Sequence, residues 1–364
     1  MKKRSLLLIL VLMLTFCLAH PGFTADQNRK PVDVILMTPP FGTTMYNIGA
    51  AFEQVFRKAG SWVHIKHQET PGAMYMIQHL RIERENMIAG KTPYAMMNMA
   101  AAMMPFVIEG RKPLDMMPLP NMRSIISTPA YVGFYGTFDP NIKTLKDFSG
   151  KRVCTAERSR LFQGLLVDKP LFEKGVGNYD KIKWAMLGSI GCKDAMLNNK
   201  VDVVKLRFLG KEAVEDGKFI VPKASPDPPT MELLSSGRKM YFIPVDAEYI
   251  KKGYNHSKDL VVYPHILKKG AYKGIEQDME VNADIGNIAG DVTMPDDVIQ
   301  EIVRVRYQHM EDFGKYHASL KLFPDSPYPL GSKKDEIHPG VFKAMEKLGL
   351  EIPKTGFKIW DLFK

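Results

Sequence analysis

Arg158 and Arg160 are the residues of this chain best suited to gripping a negative charge, because a guanidinium meets a carboxylate with two parallel hydrogen bonds. They sit in Glu157-Arg158-Ser159-Arg160, between a strand-like stretch and a helix-like one. Four other stretches share that setting: Gly42-Thr43-Thr44-Met45-Tyr46, Thr70-Pro71-Gly72-Ala73 followed by Met74, Asn98-Met99, and Gly188-Ser189-Ile190-Gly191. Open α/β sheets bind ligands beyond the carboxyl ends of their strands. Helix N-termini there offer free N–H groups and a partial positive charge. Each charge-assisted hydrogen bond contributes about 1.5–3 kcal/mol. Any one of these loops taken alone reads better as an ordinary turn; their recurrence at one place in each unit is the signal. Solvated surface charge is the other reading of each of these arginines. The candidate ligand-binding residues are Thr43, Thr44, Met45, Tyr46, Gly72, Ala73, Met74, Asn98, Met99, Arg158, Ser159, Arg160 and Ser189.

Catalytic chemistry finds little support. There is no nucleophile elbow, no Walker loop and no Gly-x-Gly-x-x-Gly. His64 and His67 lie three apart on a predicted strand, so they face opposite sides and cannot share a metal. His309 and His317 do not align on their helix as a zinc pair. Met96, Met97, Met99, Met103 and Met104 crowd one region of a chain with 23 Met. Thioether capture of copper(I) is conceivable, but gap-filling core packing is the stronger reading. No metal and no cofactor are expected. Cys154 is the one obvious reactive group, and it carries the alternative of an enzyme or sensor.

Alternating strand-like and helix-like segments argue for α/β layering. Val32–Met37, Trp62–Lys66 and Tyr94–Met97 read as strands, with helices at 48–59 and from Met74 onward. After the apolar run Tyr131–Tyr135 the series restarts, with strands at Val153–Ala156, Ile182–Leu187 and Val201–Leu206. A helix over Leu161–Lys174 is interrupted at Pro170, and another ends near Asn199. Pro222–Pro229 reads as a surface loop. A long amphipathic helix starts near Pro295, with Asp296 and Asp297 favourable in its first turn, and a last helix spans Pro339–Leu348. The length calls for two lobes. Residues 26–134 with 280–364 make the first and 135–279 the second.

Lys2, Lys3 and Arg4 precede an almost unbroken apolar run, Leu6–Ala19, which is the pattern of a secretory signal and too short for a comfortable membrane span. A leader over residues 1–25 and a periplasmic mature protein are expected. The formal charge is +10, and losing those three basic residues leaves +7. That modest excess favours anionic ligands. Nucleic-acid binding is not expected, since arginine-rich runs, zinc-finger spacing and RNA-reading signatures are missing from the sequence. Outside the leader only Cys154 and Cys192 remain, and two leftover cysteines can pair in an oxidising compartment.

The order of these features resembles the TAXI family of substrate-binding proteins, which serve tripartite ATP-independent periplasmic (TRAP) transporters. Gly42-Thr43-Thr44-Met45-Tyr46-Asn47-Ile48-Gly49 is similar to that family's Gly-Gly-Thr-Tyr-Tyr-Pro-Ile-Gly loop, and Thr70-Pro71-Gly72-Ala73 stands where it has Thr-Gly-Gly-Ser. Leu145–Val153, Ile266–Gly274, Pro295-Asp296-Asp297-Val298 and His338-Pro339-Gly340 follow in the family's order. The resemblance covers nearly the whole mature chain. It implies a two-lobe, type II periplasmic-binding fold with an interlobe cleft and hinge strands, and no catalysis. It implies a monomeric receptor that delivers a small organic anion, a carboxylate, to TRAP permease subunits. Met45, Asn47, Ala73 and the Glu157–Arg160 loop depart from the family pattern. Those departures imply a carboxylate different from, or less polar than, a glutamate-like one.

Overall fold

The computed structural model describes residues 29–41, 43–111, 118–155, 162–254, 262–330 and 332–352. The expected leader therefore lies outside the described residues. So do Gly42 and the Glu157–Arg160 loop with Arg158, Ser159 and Arg160. No helix among the described residues is long and apolar enough to cross a membrane.

Strands β1 (Val32–Thr38), β2 (Val63–Glu69) and β3 (Tyr94–Ala100) are parallel neighbours in the order β2-β1-β3. Their connections are helices α1 (Thr44–Lys58) and α2 (Ala73–Ile88), with α3 (Met104–Glu109) after β3. Right-handed β–α–β connection suits such a parallel arrangement. Then come β4 (Met122–Thr137), β5 (Arg152–Thr155), β6 (Lys183–Met186), α4 (Gly188–Leu197), β7 (Val203–Glu215) and β8 (Lys218–Pro226). Next are α5 (Pro228–Leu234), β9 (Tyr241–Ile243), α6 (Ala247–Gly253), β10 (Tyr263–Leu267) and β11 (Met279–Asp291). Helices α7 (Asp296–Gln308), α8 (Met310–Phe313) and α9 (Pro339–Lys347) close the order. Two helical turns, Phe162–Asp168 and Leu171–Val176, flank Pro170 where the sequence predicts one interrupted helix.

Two long strands carry the architecture. The first part of β4 pairs antiparallel with β11, and its last part pairs antiparallel with β7. The far half of β11 pairs with β3. Thus β3 points along β4, while β5 and β6, parallel to β7, point the opposite way. The register fixes where they meet. Ala100, ending β3, lies opposite Gly286, which pairs with Thr128. Cys154, next to the end of β5, pairs with Val204, and β7 runs on from there to Gly210 opposite Ala130. The carboxyl ends of two oppositely directed parallel sets therefore converge on the middle of β4 and β11. This is the α/β two-lobe fold with hinge strands. The hinge strands also close a ring, because β7 pairs β8, β8 pairs β10, and β10 pairs β11.

One core cluster packs α1, α7 and α9 against β1 and β2 through Phe52, Phe56, Ile299 and Val341; the larger one runs from Met97 to the Phe148–Phe172 stack. Met96 belongs to the first cluster, and Met97 and Met99 to the second. Alternation along β3 turns Met96 to the face opposite Met97 and Met99, and all three pack the core.

One expectation is overturned. Pro222–Pro229 is not a surface loop but the end of β8 and the start of α5. Proline lacks a ladder donor and is tolerated at bulges. The β7–β8 register slips between Lys211 and Ala213, and Pro222 falls opposite that slip.

Cys154 and Cys192 are bonded, with Cα atoms 5.5 Å apart and a sequence separation of 38. The bond ties the end of β5 to α4. A buried, bonded sulfur is unavailable as a nucleophile while the bond stands, so the reactive role considered for Cys154 fails in the oxidised protein. A closed loop of that length constrains the unfolded chain by about 2–4 kcal/mol. Cys154→Ala/Cys192→Ala is expected to lower stability by that amount in urea melts, and an unchanged midpoint would show that the link contributes nothing.

Candidate functional site

The first lobe's loops behave as helix starts. Thr43 caps α1: its Oγ1 accepts from the Tyr46 amide at 3.2 Å and donates to the Pro40 carbonyl at 2.8 Å. That satisfies one otherwise free donor of the helix start. Thr44 and Met45 are partly buried in the first turn. The Tyr46 ring packs edge-on against His67 at 4.6 Å and Phe41 at 5.2 Å. His67 Nε2 lies 2.7 Å from Thr38 Oγ1, and burial holds its pKa below the usual imidazole value. Gly49 is needed there, since a Cβ would come within 2.5 Å of the His67 ring. Gly72 precedes α2 at φ +137°, a backbone that favours glycine. Ala73 is exposed and Met74 partly buried against the core. In the second lobe Ser189 lies partly buried in the first turn of α4, next to the disulfide-bonded Cys192.

Asn98 and Met99 part company. Met99 is core, whereas Asn98, though only 1% exposed, keeps its Nδ2 without a hydrogen bond among the described residues. Its Oδ1 accepts from the Tyr131 hydroxyl at 3.4 Å. Tyr131 sits on β4 opposite Asp284 of β11. Asn282 and Asp284 are two apart on β11, Tyr131, Gly133 and Tyr135 alternate on β4, and Lys205 and Arg207 alternate on β7. The pairs Asn282–Gly133–Arg207 and Tyr135–Lys205 put them all on one face. Gly133 leaves the gap between them: a Cβ there would meet Asn282 Oδ1 at 2.6 Å and Lys205 Cε at 3.2 Å.

The electrostatics of this face are uneven. Lys205 Nζ is committed to Asp168 Oδ1 at 2.6 Å, both side chains nearly sealed from solvent. Burial drives the lysine's pKa down, and Asp168 opposes that. Asp168 also accepts from the Tyr135 hydroxyl at 3.1 Å and from Thr155 at the end of β5. Asp284 has no ion pair among the described residues, and its Oδ1 has no hydrogen bond. Burial pushes its carboxyl up to about 7, against the pull of Lys205 and Arg207. Asn282 Nδ2 is likewise without a hydrogen bond among the described residues. Arg207 is partly buried, and its guanidinium makes no ion pair among the described residues, although its charge acts on Asp227 and Asp284. Buried polar groups left unsatisfied cost about 1–3 kcal/mol each, so several on one face ask for something to satisfy them.

Tyr131, Asn282, Asp284, Lys205 and Arg207 lie outside the strand-to-helix loops that stand out in the sequence. A signal existed. Lys205 and Arg207 stand two apart inside Val203-Val204-Lys205-Leu206-Arg207-Phe208, and Asn282 and Asp284 two apart inside Val281–Ile285. Polar residues at period two in an otherwise apolar strand mark one polar face.

Among solved structures the chain is similar to a protein described as a periplasmic transporter, at 13% identity over 88% of this chain and 95% of that one, with a TM-score of 0.47. It is similar to the periplasmic sulfonate-binding protein SsuA from Methylobacillus flagellatus, at 13% identity over 91% and 100%, with a TM-score of 0.48. It is also similar to a TctC solute-binding protein from Polaromonas, at 12% identity over 88% of each chain, with a TM-score of 0.43. No curated protein sequence matches. The model of the NMT1-like family matches residues 36–346, most of the chain, and the protein belongs to that family.

Proposed function

We propose that this protein is a periplasmic solute-binding receptor, without catalysis, that closes two lobes on a small organic anion and hands it to a membrane transporter. The observation that supports it most is the meeting of two oppositely directed sets of strand ends on a face where the Arg207 guanidinium has no ion pair among the described residues. A carboxylate fits a guanidinium bidentately. The amide donors of Asn98 on β3 and Asn282 on β11 are without a hydrogen bond among the described residues. The lobe division at 134/135 and 279/280 belongs to this proposal; it falls within β4 and at the start of β11, the two strands that connect the halves. The TAXI-type partnership with TRAP permease subunits rests on the motif resemblance. Thr43, Thr44, Tyr46, Gly72, Ala73 and Asn98 from one lobe and Ser189 from the other are proposed to line the cleft, with Arg158, Ser159 and Arg160 carried by resemblance alone.

A panel of lactate, pyruvate, succinate, α-oxoglutarate, glutamate and benzoate tests the reading by thermal shift, since a ligand of the native state stabilises by mass action. At least one acid should raise the melting temperature without being consumed. No shift with any of them at millimolar concentration would sink the carboxylate assignment. Arg207→Gln should weaken the best binder roughly 10- to 150-fold, the loss of one charge-assisted contact of about 1.5–3 kcal/mol. Calorimetry reads that change, and unaltered affinity would remove Arg207 from the site.

A further inference from the structure

Asp284 is a carboxyl 7% exposed, midway along a hinge strand, with no ion pair and an orphaned Oδ1 among the described residues. A second negative charge brought to Arg207 would face it across the same surface. We infer that Asp284 is a proton-binding site of the cleft, and that in alkaline solution the protein takes up a proton together with each anion. The inference rests on the receptor reading above.

The geometry gives Asp284 few alternatives. From β4 it faces the Tyr131 hydroxyl, whose pKa it helps to raise; from β7 it feels Lys205 and Arg207; from β10 its charge reaches Tyr263. Lys205 is already held by Asp168, so Arg207 is the one cation of this set not committed to a carboxylate. Like charges confined to one site do not both ionise, and one of them takes a proton. The ligand carboxylate, bound bidentately by the guanidinium, keeps its charge. Asp284, desolvated and without such a partner, becomes the neutral member. Protonated, its O–H turns an acceptor that repels the anion into a donor that holds it.

The direction in pH follows. In the free protein Asp284 is half-protonated at about 7. Below that value the carboxyl already carries its proton and affinity is at its plateau. Above it, each bound anion must draw a proton from solution, so affinity falls by up to roughly tenfold per pH unit.

The test uses the tightest binder of the carboxylate panel, with the full mature chain, in calorimetry at slightly alkaline pH in buffers of different ionisation enthalpy. Uptake approaching one proton per anion is expected, together with weakening as pH rises. Asp284→Asn should bind with little pH dependence, take up no proton, and match the wild-type affinity measured in acid. An anion bound without proton uptake by the wild type overturns the inference and leaves the receptor reading intact, as does unchanged uptake in Asp284→Asn. A panel with no binder overturns the receptor reading and this inference with it. Melting temperature and circular dichroism of the variant establish that it is folded.

Discussion

Lys205→Met is expected to destabilise the protein by about 3–5 kcal/mol, because it strands a buried carboxylate. Lys205 and Asp168 expose 3% and 2% of their side chains, and Nζ stands 2.6 Å from Oδ1. Burial of two charges is costly, and their mutual attraction offsets that only because Thr155 and Tyr135 satisfy the rest of the carboxylate. Methionine keeps the length of the lysine stem and removes only the charge. Asp168 must then either stay charged without a cation or take a proton. Adding Asp168→Leu removes the stranded charge, so the double variant should recover about 2 kcal/mol or more of the loss. Urea unfolding of the two single variants and the double closes the cycle. Equal losses in Lys205→Met and the double variant would show that packing, not charge, is what the lysine supplies. The pair also joins β7 to the end of β5 and to the turn after it. Lys205→Met is therefore expected to loosen the second lobe's side of the cleft as well as the core.

The lobes were legible in the sequence because parallel strands bury both faces and read as apolar runs between amphipathic helices. Val32–Met37, Tyr94–Met97 and Val153–Ala156 stood out on that account, and β1, β3 and β5 lie there. Asp296 and Asp297 marked the start of α7 for an electrostatic reason, and His338-Pro339 marked α9, where His338 caps the first turn. The hinge was much less legible. β11 contains Asn282, Asp284 and Asn287, all buried, and such residues argue against a central strand. Tertiary contacts decide the matter: β3, β4 and β10 pair with it along both edges. The strand expected over Val201–Leu206 continues through Arg207 to Glu215. In the candidate site the loops drew attention for their small and hydroxylated residues, and those residues serve first as caps. The polar face that could grip a charge lies on the hinge strands, and its members come from four separate stretches of chain. No local spacing rule brings Asn98, Tyr131, Lys205 and Asp284 together; the register does.

The ligand-free protein should be strengthened by losing the charge on that face. Asp284→Asn is expected to raise stability by about 4 kcal/mol at slightly alkaline pH, and by almost nothing near the ordinary carboxylate range. The carboxyl titrates at 3.8 in an unperturbed chain and about 7 in the fold, chiefly because burial disfavours the charged form. The folded protein thus holds the proton more tightly than the unfolded chain does. An acid of that kind contributes most stability below its unfolded pKa. The contribution declines as pH rises through the window between the two values and is gone above the folded one. About three units at roughly 1.36 kcal/mol each give the size. Asparagine fills nearly the same volume, cannot ionise, and so suffers no such decline. The wild-type and variant stabilities, followed by urea unfolding across that window, should diverge by about 1.4 kcal/mol per pH unit and then run parallel. A constant difference would mean that Asp284 is not the group that titrates. If the curves do diverge, the wild-type residue is retained at a cost in stability, as happens where a binding site sets the sequence and the fold bears the strain.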